Sequence, residues 1–231
     1  MQRYIGTSGF AYKEWRGSFY PEDIKDSDML SFYAAQFNAV EINNTFYRMP
    51  SEKVLSDWAA DVPSDFRFVL KASRQITHIK RLKEGVAEPL EYFLRNARVL
   101  GDRLGPILVQ LPPNLKLDLD RLRVFLDLLP TDVRFAFEFR HNSWHDDAVF
   151  DALRSRNAAL CIAHTKDGET PFVPTASWGY VRLRKVQYTD ADLASWRERI
   201  ASAPWTDVHV FFKHEEEATG PALARRFQNG P

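Results

Sequence analysis

Eight short apolar segments recur along the chain, and most are followed by a stretch with apolar residues at helical spacing. The strand candidates are 4–8, 39–43, 66–71, 107–111, 135–140, 159–163, 180–184 and 208–213. Most are rich in Val, Ile, Leu, Phe or Tyr, and all are short enough for strands. Between them lie helical stripes such as Met29, Leu30, Tyr33 and Phe37, and Leu90, Phe93, Leu94 and Ala97, the latter stopped by Gly101. Leu122, Phe125 and Leu126 end before Pro130, and Val149 and Leu153 lead to Asn157. Leu193, Trp196 and Ile200 follow an N-cap at Thr189-Asp190, and Leu223 and Phe227 close the series. Only 166–178 has little helical spacing.

Such alternation predicts a parallel sheet with helical crossovers. Eight units in 231 residues predict one α/β domain over 1–231, a closed (β/α)8 TIM-like barrel. The alternative is a doubly wound open sheet, which would more often carry a glycine-rich phosphate loop after its first strand. Gly6-Thr7-Ser8-Gly9 lacks that spacing.

Charge and cysteine content narrow the function classes. Lys and Arg total 31 against 31 Asp and Glu, which argues against a generally basic nucleic-acid or membrane-surface binder. Cys161 stands alone, so neither an intrachain disulfide nor a multi-cysteine zinc site is available. No apolar run approaches the ~20 residues of a membrane span. No charged and apolar leader precedes the first strand, and a cytoplasmic protein is expected.

Side chains alternate across a strand, which sorts residues between the helices and the barrel interior. Phe135, Phe137 and Phe139 form a helix-facing row, so Ala136, Glu138 and Arg140 point inward. Val40 and Ile42 likewise leave Ala39, Glu41 and Asn43 inside. The same rule puts Ser8, Val69, Lys71, Leu108, Gln110, Tyr180, Arg182, Arg184, His209, Phe211 and Lys213 inside. In 159–163, where every residue is apolar, it puts Ala159, Cys161 and Ala163 there. The interior charges are five cations, Lys71, Arg140, Arg182, Arg184 and Lys213, against Glu41 and Glu138. Buried charge needs pairing or solvation. The two glutamates could simply tie strands together through Arg140 and Arg182. The surplus of cations points instead to a small anionic ligand, phosphate or carboxylate, at the carboxyl ends of the strands.

The connecting segments add aromatics. Tyr12, Trp15, Tyr47 and Trp144 suit stacking on a ligand at the mouth, or capping of the barrel; Phe19 and Phe46 read as packing. His78 suits a general acid or base, or a loop histidine bonded to backbone. His164 with Glu41 and Glu138 could complete a divalent-metal set, although the nearby cations work against one. His141 and His145 read as loop, with no metal expected there. Glu215-Glu216-Glu217 reads as a solvated turn. Glu41 and Glu138 could also form the carboxylate pair of a glycosidase, which their separation would decide.

Gly6-Thr7-Ser8-Gly9-Phe10, with Tyr12, Trp15 and Phe19-Tyr20-Pro21, resembles the opening of the YecE-like family, a domain of unknown function. Val40-Glu41-Ile42-Asn43 with Thr45-Phe46-Tyr47-Arg48, and Lys71 with Ile76-Thr77-His78, resemble its next blocks. Gln110-Leu111-Pro112-Pro113 and Phe137-Glu138-Phe139-Arg140-His141 with Ser143-Trp144 resemble the following ones. The resemblance covers nearly the whole chain and implies a TIM-like barrel, without a reaction. Many members carry Arg-x-His-Gly on strand seven and paired asparagines ending strand eight. Here those places read Arg182-Leu183-Arg184-Lys185 and Phe212-Lys213-His214-Glu215. This chain resembles a branch with a more basic mouth, and no role of the missing histidine or asparagines transfers to it.

The expectation is therefore an enzyme, a hydrolase or isomerase, acting on a small anionic substrate such as a phosphorylated molecule. Glu41 or Glu138 would be the acid or base, with His78 a further candidate. Ser8, Asn43, Gln110, Lys71, Arg140, Arg182, Arg184 and Lys213 would bind, and Tyr12 and Trp15 would form a lid. A non-enzymatic binder of a small anion or a nucleic-acid end, and a metal-dependent hydrolase, are the alternatives. No cofactor is assigned.

Overall fold

The computed structural model describes residues 1–213 and 218–230. The Glu215-Glu216-Glu217 segment lies outside the described residues. Eight parallel strands form a nearly closed barrel: β1 (Gln2–Thr7), β2 (Ala39–Ile42), β3 (Arg67–Lys71), β4 (Leu104–Gln110), β5 (Phe135–Glu138), β6 (Ala159–Thr165), β8 (Gly179–Leu183) and β9 (Asp207–Phe212). They run in the order β1-β9-β8-β6-β5-β4-β3-β2. A two-residue strand, β7 (Gly168–Glu169), pairs antiparallel with β6. The helices are α1 (Met29–Ala34), α2 (Glu52–Ala60), α3 (Ala87–Ala97), α4 (Leu119–Asp127), α5 (Asp147–Arg154), α6 (Asp190–Ala201) and α7 (Thr219–Asn229).

Each of the eight predicted segments contains a strand, and the parallel barrel replaces the open-sheet alternative. The 166–178 stretch without helical spacing forms the β6–β7 hairpin and irregular chain. One helix escaped the periodicity reading. α2 begins where Ser51 accepts from the Val54 amide, a capping signal present in the sequence.

The interior and the helix-facing shell separate as side-chain alternation requires. Ala39, Val69, Leu108, Ala136, Ala159, Cys161, Tyr180 and Phe211 form the apolar interior with Trp178. Val40, Ile42, Phe135, Phe137, Leu160, Ile162, Val181 and Val210 pack in the outer core under the helices. Small Ala and Cys residues beside Tyr180 and Phe211 fill the narrow barrel. Its mouth is left to polar side chains.

Closure between β1 and β2 is the thinnest part of the barrel. Ser8 and Glu41 form a single parallel bridge, and the Gly9 amide donates to the Glu41 carbonyl at 2.8 Å. Below it, side chains replace the missing ladder. The Ile5 amide donates to Asn38 Oδ1 (2.9 Å), and Asn38 Nδ2 donates to the Arg3 carbonyl (2.8 Å). The Thr7 amide donates to Tyr33 Oη (2.8 Å), which donates to the Ala39 carbonyl (3.0 Å). This arrangement satisfies buried backbone groups without a continuous ladder. It also explains Gly6: a Cβ there would lie 1.9 Å from the Ala39 carbonyl oxygen. Gly6→Ala should cost about 3 kcal/mol or more, the upper end of overpacking effects, because the obstacle is backbone. Urea unfolding checks this, and an unchanged midpoint would show that the seam can open.

Candidate functional site

The carboxyl ends of β1, β2, β5 and β8 bring Ser8, Glu41, Glu138 and Arg182 together in the barrel mouth. Glu41, Glu138 and Arg182 are all but inaccessible to solvent. Arg182 bridges the two carboxylates, donating from one terminal nitrogen to Glu41 Oε1 at 2.8 Å and from the other to Glu138 Oε2. Glu41 also accepts from Ser8 Oγ (2.6 Å), Tyr180 Oη (2.6 Å) and Asn43 Nδ2 (3.2 Å). Glu138 Oε1 accepts from Arg140 Nε (3.0 Å), and Arg184 stands 3.7 Å from the same oxygen. Gln110 lies beside Glu138, but its buried Nε2 has no well-formed hydrogen bond among the described residues.

These contacts decide the charge states. Burial, the largest single influence, pushes both carboxyls up, but Arg182 together with the neighbouring hydrogen-bond donors and charges outweighs it and holds each below the usual carboxylate range. Ser8 and Tyr180 help at Glu41, and Arg140 helps at Glu138. Both glutamates are therefore ionised and saturated with donors, which makes them poor general acids near neutral pH.

Lys71 and His78 stand in a different environment from the two glutamates. Lys71 ends β3, and its Nζ sits 4.3 Å above the Phe46 ring, with no ion pair or side-chain hydrogen bond among the described residues. Burial and then the Arg182 charge push its ammonium down to about 8, partly opposed by Glu41 and Glu138. His78 packs edge-on against the same ring at 4.8 Å and shares a 2.9 Å hydrogen bond with Thr77 Oγ1. Burial, then the charges of Lys71, Arg140 and Arg81, push its imidazolium down, so the ring is neutral at pH 7. A neutral base and a readily deprotonated amine thus share one wall of the mouth.

The remaining candidates divide. Tyr12 stays at the site, donating to the Ser8 carbonyl at 2.8 Å. Tyr47 is largely exposed beside Phe46. Lys213 follows β9 at the same end, half-buried. Trp15 and Trp144 are corrected from ligand contacts to packing. Trp15 is buried against Phe19 and Tyr20, so it is no part of a lid. Trp144 stacks on Phe139 at 4.8 Å and donates from Nε1 to the Leu115 carbonyl at 2.7 Å. His164 is also corrected. It points away from the interior, between Tyr188 and Trp196, and cannot join Glu41 and Glu138 on a metal. Among the described residues, no three His, Cys, Asp or Glu side chains cluster as a metal site. Tyr180, read from the sequence as interior, was not recognised as a donor to Glu41. Its signal was there, since its parity and register place it one step below Arg182.

A cleft of about 600 Å³ opens over Glu138, Arg140, His145, Glu169 and Arg184. A larger cavity of about 850 Å³ lies at the opposite end, by Tyr4, Arg67, Arg134, Asp207 and His209. Charges there are matched locally, as in Arg134–Asp207 (2.7 Å) and Arg98–Asp132 (3.0 Å). Among the described residues at the carboxyl end, Lys71, Arg140, Arg182 and Arg184 gather around Glu41 and Glu138, and Asp167 and Glu169 line the outer part of the cleft. The carboxyl end is therefore the candidate site. No helix among the described residues is long and apolar enough to cross a membrane.

Comparison with known proteins agrees with this architecture. A crystal structure of a DUF72 family protein from Thermotoga maritima superposes with a TM-score of 0.86 at 27% identity, covering 99% of this chain and 98% of that one. One from Enterococcus faecalis gives 0.82 at 19% identity, covering 98% and 94%, a likeness of fold alone. The UPF0759 protein YecE of Escherichia coli K12 is 34% identical over 113 residues, 48% of this chain and 41% of that protein's length. The UPF0759 protein YunF of Bacillus subtilis is 23% identical over 230 residues, covering 93% of this chain and 79% of that protein. The model of the family described as protein of unknown function DUF72 matches residues 4–230, and the chain belongs to that family.

Proposed function

We propose that this protein is an enzyme, a hydrolase or isomerase, acting on a small anionic substrate at the carboxyl end of the barrel, with a phosphorylated molecule as the first case. One observation carries the reading: Arg140 and Arg184 converge on a single oxygen of Glu138, whose other oxygen Arg182 already holds. Three guanidinium groups, those of Arg140, Arg182 and Arg184, thus meet at one carboxylate among the described residues, and the cleft is open beside them. A phosphate or carboxylate would accept the remaining N–H groups. Burial and the neighbouring Arg182 both work against charge on Arg184, and a bound anion would relieve that repulsion. Glu41 and Glu138 then serve to position Arg182, Ser8 and Tyr180, while Lys71 and His78 supply proton transfer.

A thermal-shift series tests the binding half. Inorganic phosphate and phosphorylated sugars should raise Tm, with chloride at equal ionic strength as the control. Saturation at a hundred times Kd contributes about 2.7 kcal/mol, or several degrees for a chain of this size. Arg140→Ala combined with Arg184→Ala should remove most of the shift. Equal shifts in the variant and the parent would overturn the assignment. Product analysis of each stabilising compound then tests turnover: binding without conversion favours a non-enzymatic binder.

A further inference from the structure

We propose that Lys71 is a nucleophile that forms an imine with the carbonyl group of an anionic aldehyde or ketone, the anion resting on Arg140 and Arg184. This rests on the anionic-substrate reading and names its substrate class. The geometry supports it in three ways. Lys71 stands at the carboxyl end of a barrel strand, on the same interior face as Glu41, Glu138 and Arg182. Its Nζ lies on the apolar face of Phe46 and is engaged by no carboxylate or hydrogen-bond acceptor among the described residues. A lysine whose only task was charge pairing would reach Glu41 or Glu138, yet Arg182 occupies both. Desolvation on an apolar surface beside another cation is how enzymes make a lysine amine nucleophilic. The amine's own equilibrium fits: at about 8, a tenth of Lys71 is neutral near pH 7, roughly two hundred times the share of an ordinary lysine.

The step balances without any oxidant or reductant. The Nζ lone pair adds to the carbonyl carbon, and the carbonyl π pair moves onto oxygen to give a carbinolamine. One proton passes from nitrogen to that oxygen, and a second, taken from solvent, lets the C–O bond break with release of water as the nitrogen lone pair closes the double bond of a protonated imine. The C=N bond remains. His78, neutral and packed on the same Phe46 ring, is placed to carry the proton. The protonated imine would lie near Glu41 and Glu138. Its electron withdrawal would acidify the adjacent carbon, the chemistry an isomerase of a carbonyl compound requires.

Borohydride trapping on the wild-type protein tests the proposal. Dihydroxyacetone phosphate, uncharged dihydroxyacetone and formaldehyde serve as probes, with peptide mapping by mass spectrometry. Exposed Lys53 is the internal reference. At pH 7, Lys71 should be modified by dihydroxyacetone phosphate at least about tenfold faster than Lys53, given its larger neutral fraction. Inorganic phosphate should compete, and Arg140→Ala with Arg184→Ala should slow the labelling. Formaldehyde labelling of Lys71 should rise with pH and level off above about 8. Labelling no faster than at Lys53 with every probe overturns the proposal. So does labelling by the uncharged probes alone. Phosphate-dependent stabilisation without trapping at Lys71 overturns the imine and leaves the anion site standing.

Discussion

Arg182→Met should lower the unfolding free energy by about 3–5 kcal/mol near neutral pH, the usual result of removing one partner from a buried ion pair. Among the described residues, Arg182 alone pairs with both Glu41 and Glu138. Methionine fills much of its volume but leaves Glu41 with hydroxyl and amide donors and no cation in contact. Burial would then push the Glu41 carboxyl above its unfolded value. A group raised in this way binds a proton more readily folded than unfolded. The deficit against wild type should therefore shrink as pH falls toward 5. Glu138 keeps Arg140 and Arg184 and should change less. Adding Glu41→Gln to Arg182→Met should recover a good part of the loss at pH 7.5. Urea unfolding of the three proteins at pH 7.5 and 5 measures this. A loss under ~1 kcal/mol, the range of exposed pairs, would mean that the carboxylates are solvated by water reaching the mouth.

His209 should make the protein acid-sensitive above the range where carboxylates titrate. Its ring is buried at the amino end of the barrel and stacked on Tyr4 at 4.6 Å. Burial, then the charges of Arg134 and Arg67, push its imidazolium down to about 3. Asp207 lies 3.8 Å from Nε2, but Arg134 already holds it at 2.7 Å. The folded state keeps this ring neutral, while the unfolded chain takes up a proton near pH 6.5. Stability is thus complete above that value and is lost as pH falls toward 3. The slope approaches 1.4 kcal/mol per pH unit, for a total of about 4 kcal/mol. His209→Phe removes the titration and the Nδ1 atom that has no partner among the described residues. The difference between the two proteins should widen steadily from pH 6.5 to 4.5, a window in which Glu41 and Glu138 stay ionised in the fold. Parallel stability curves for both would show that the ring is protonated within the barrel.

Strand alternation determined a great deal by itself. A side chain's parity follows from the backbone, so Phe135, Phe137 and Phe139 on one side fixed Glu138 on the other. The same held for Glu41 between Val40 and Ile42, and even for the uniformly apolar stretch 159–163 of β6. The barrel and the polar side chains of its mouth were legible in this way. Partner choice was not, because it depends on which strands are neighbours and on their stagger. Arg182 meets Glu41 only because the barrel closes through Ser8, and that closure rests on Tyr33 and Asn38 from outside the strands. The loop aromatics show the same limit. Nothing local separates Tyr12, beside Ser8, from Trp15, sealed beneath it. The largest change concerned proton transfer. Composition and parity favoured the two glutamates, but the tertiary structure surrounds them with donors and isolates Lys71 on an apolar ring. Desolvation and neighbouring charge set a group's proton affinity, and both are properties of the assembled barrel rather than of the sequence around any one residue.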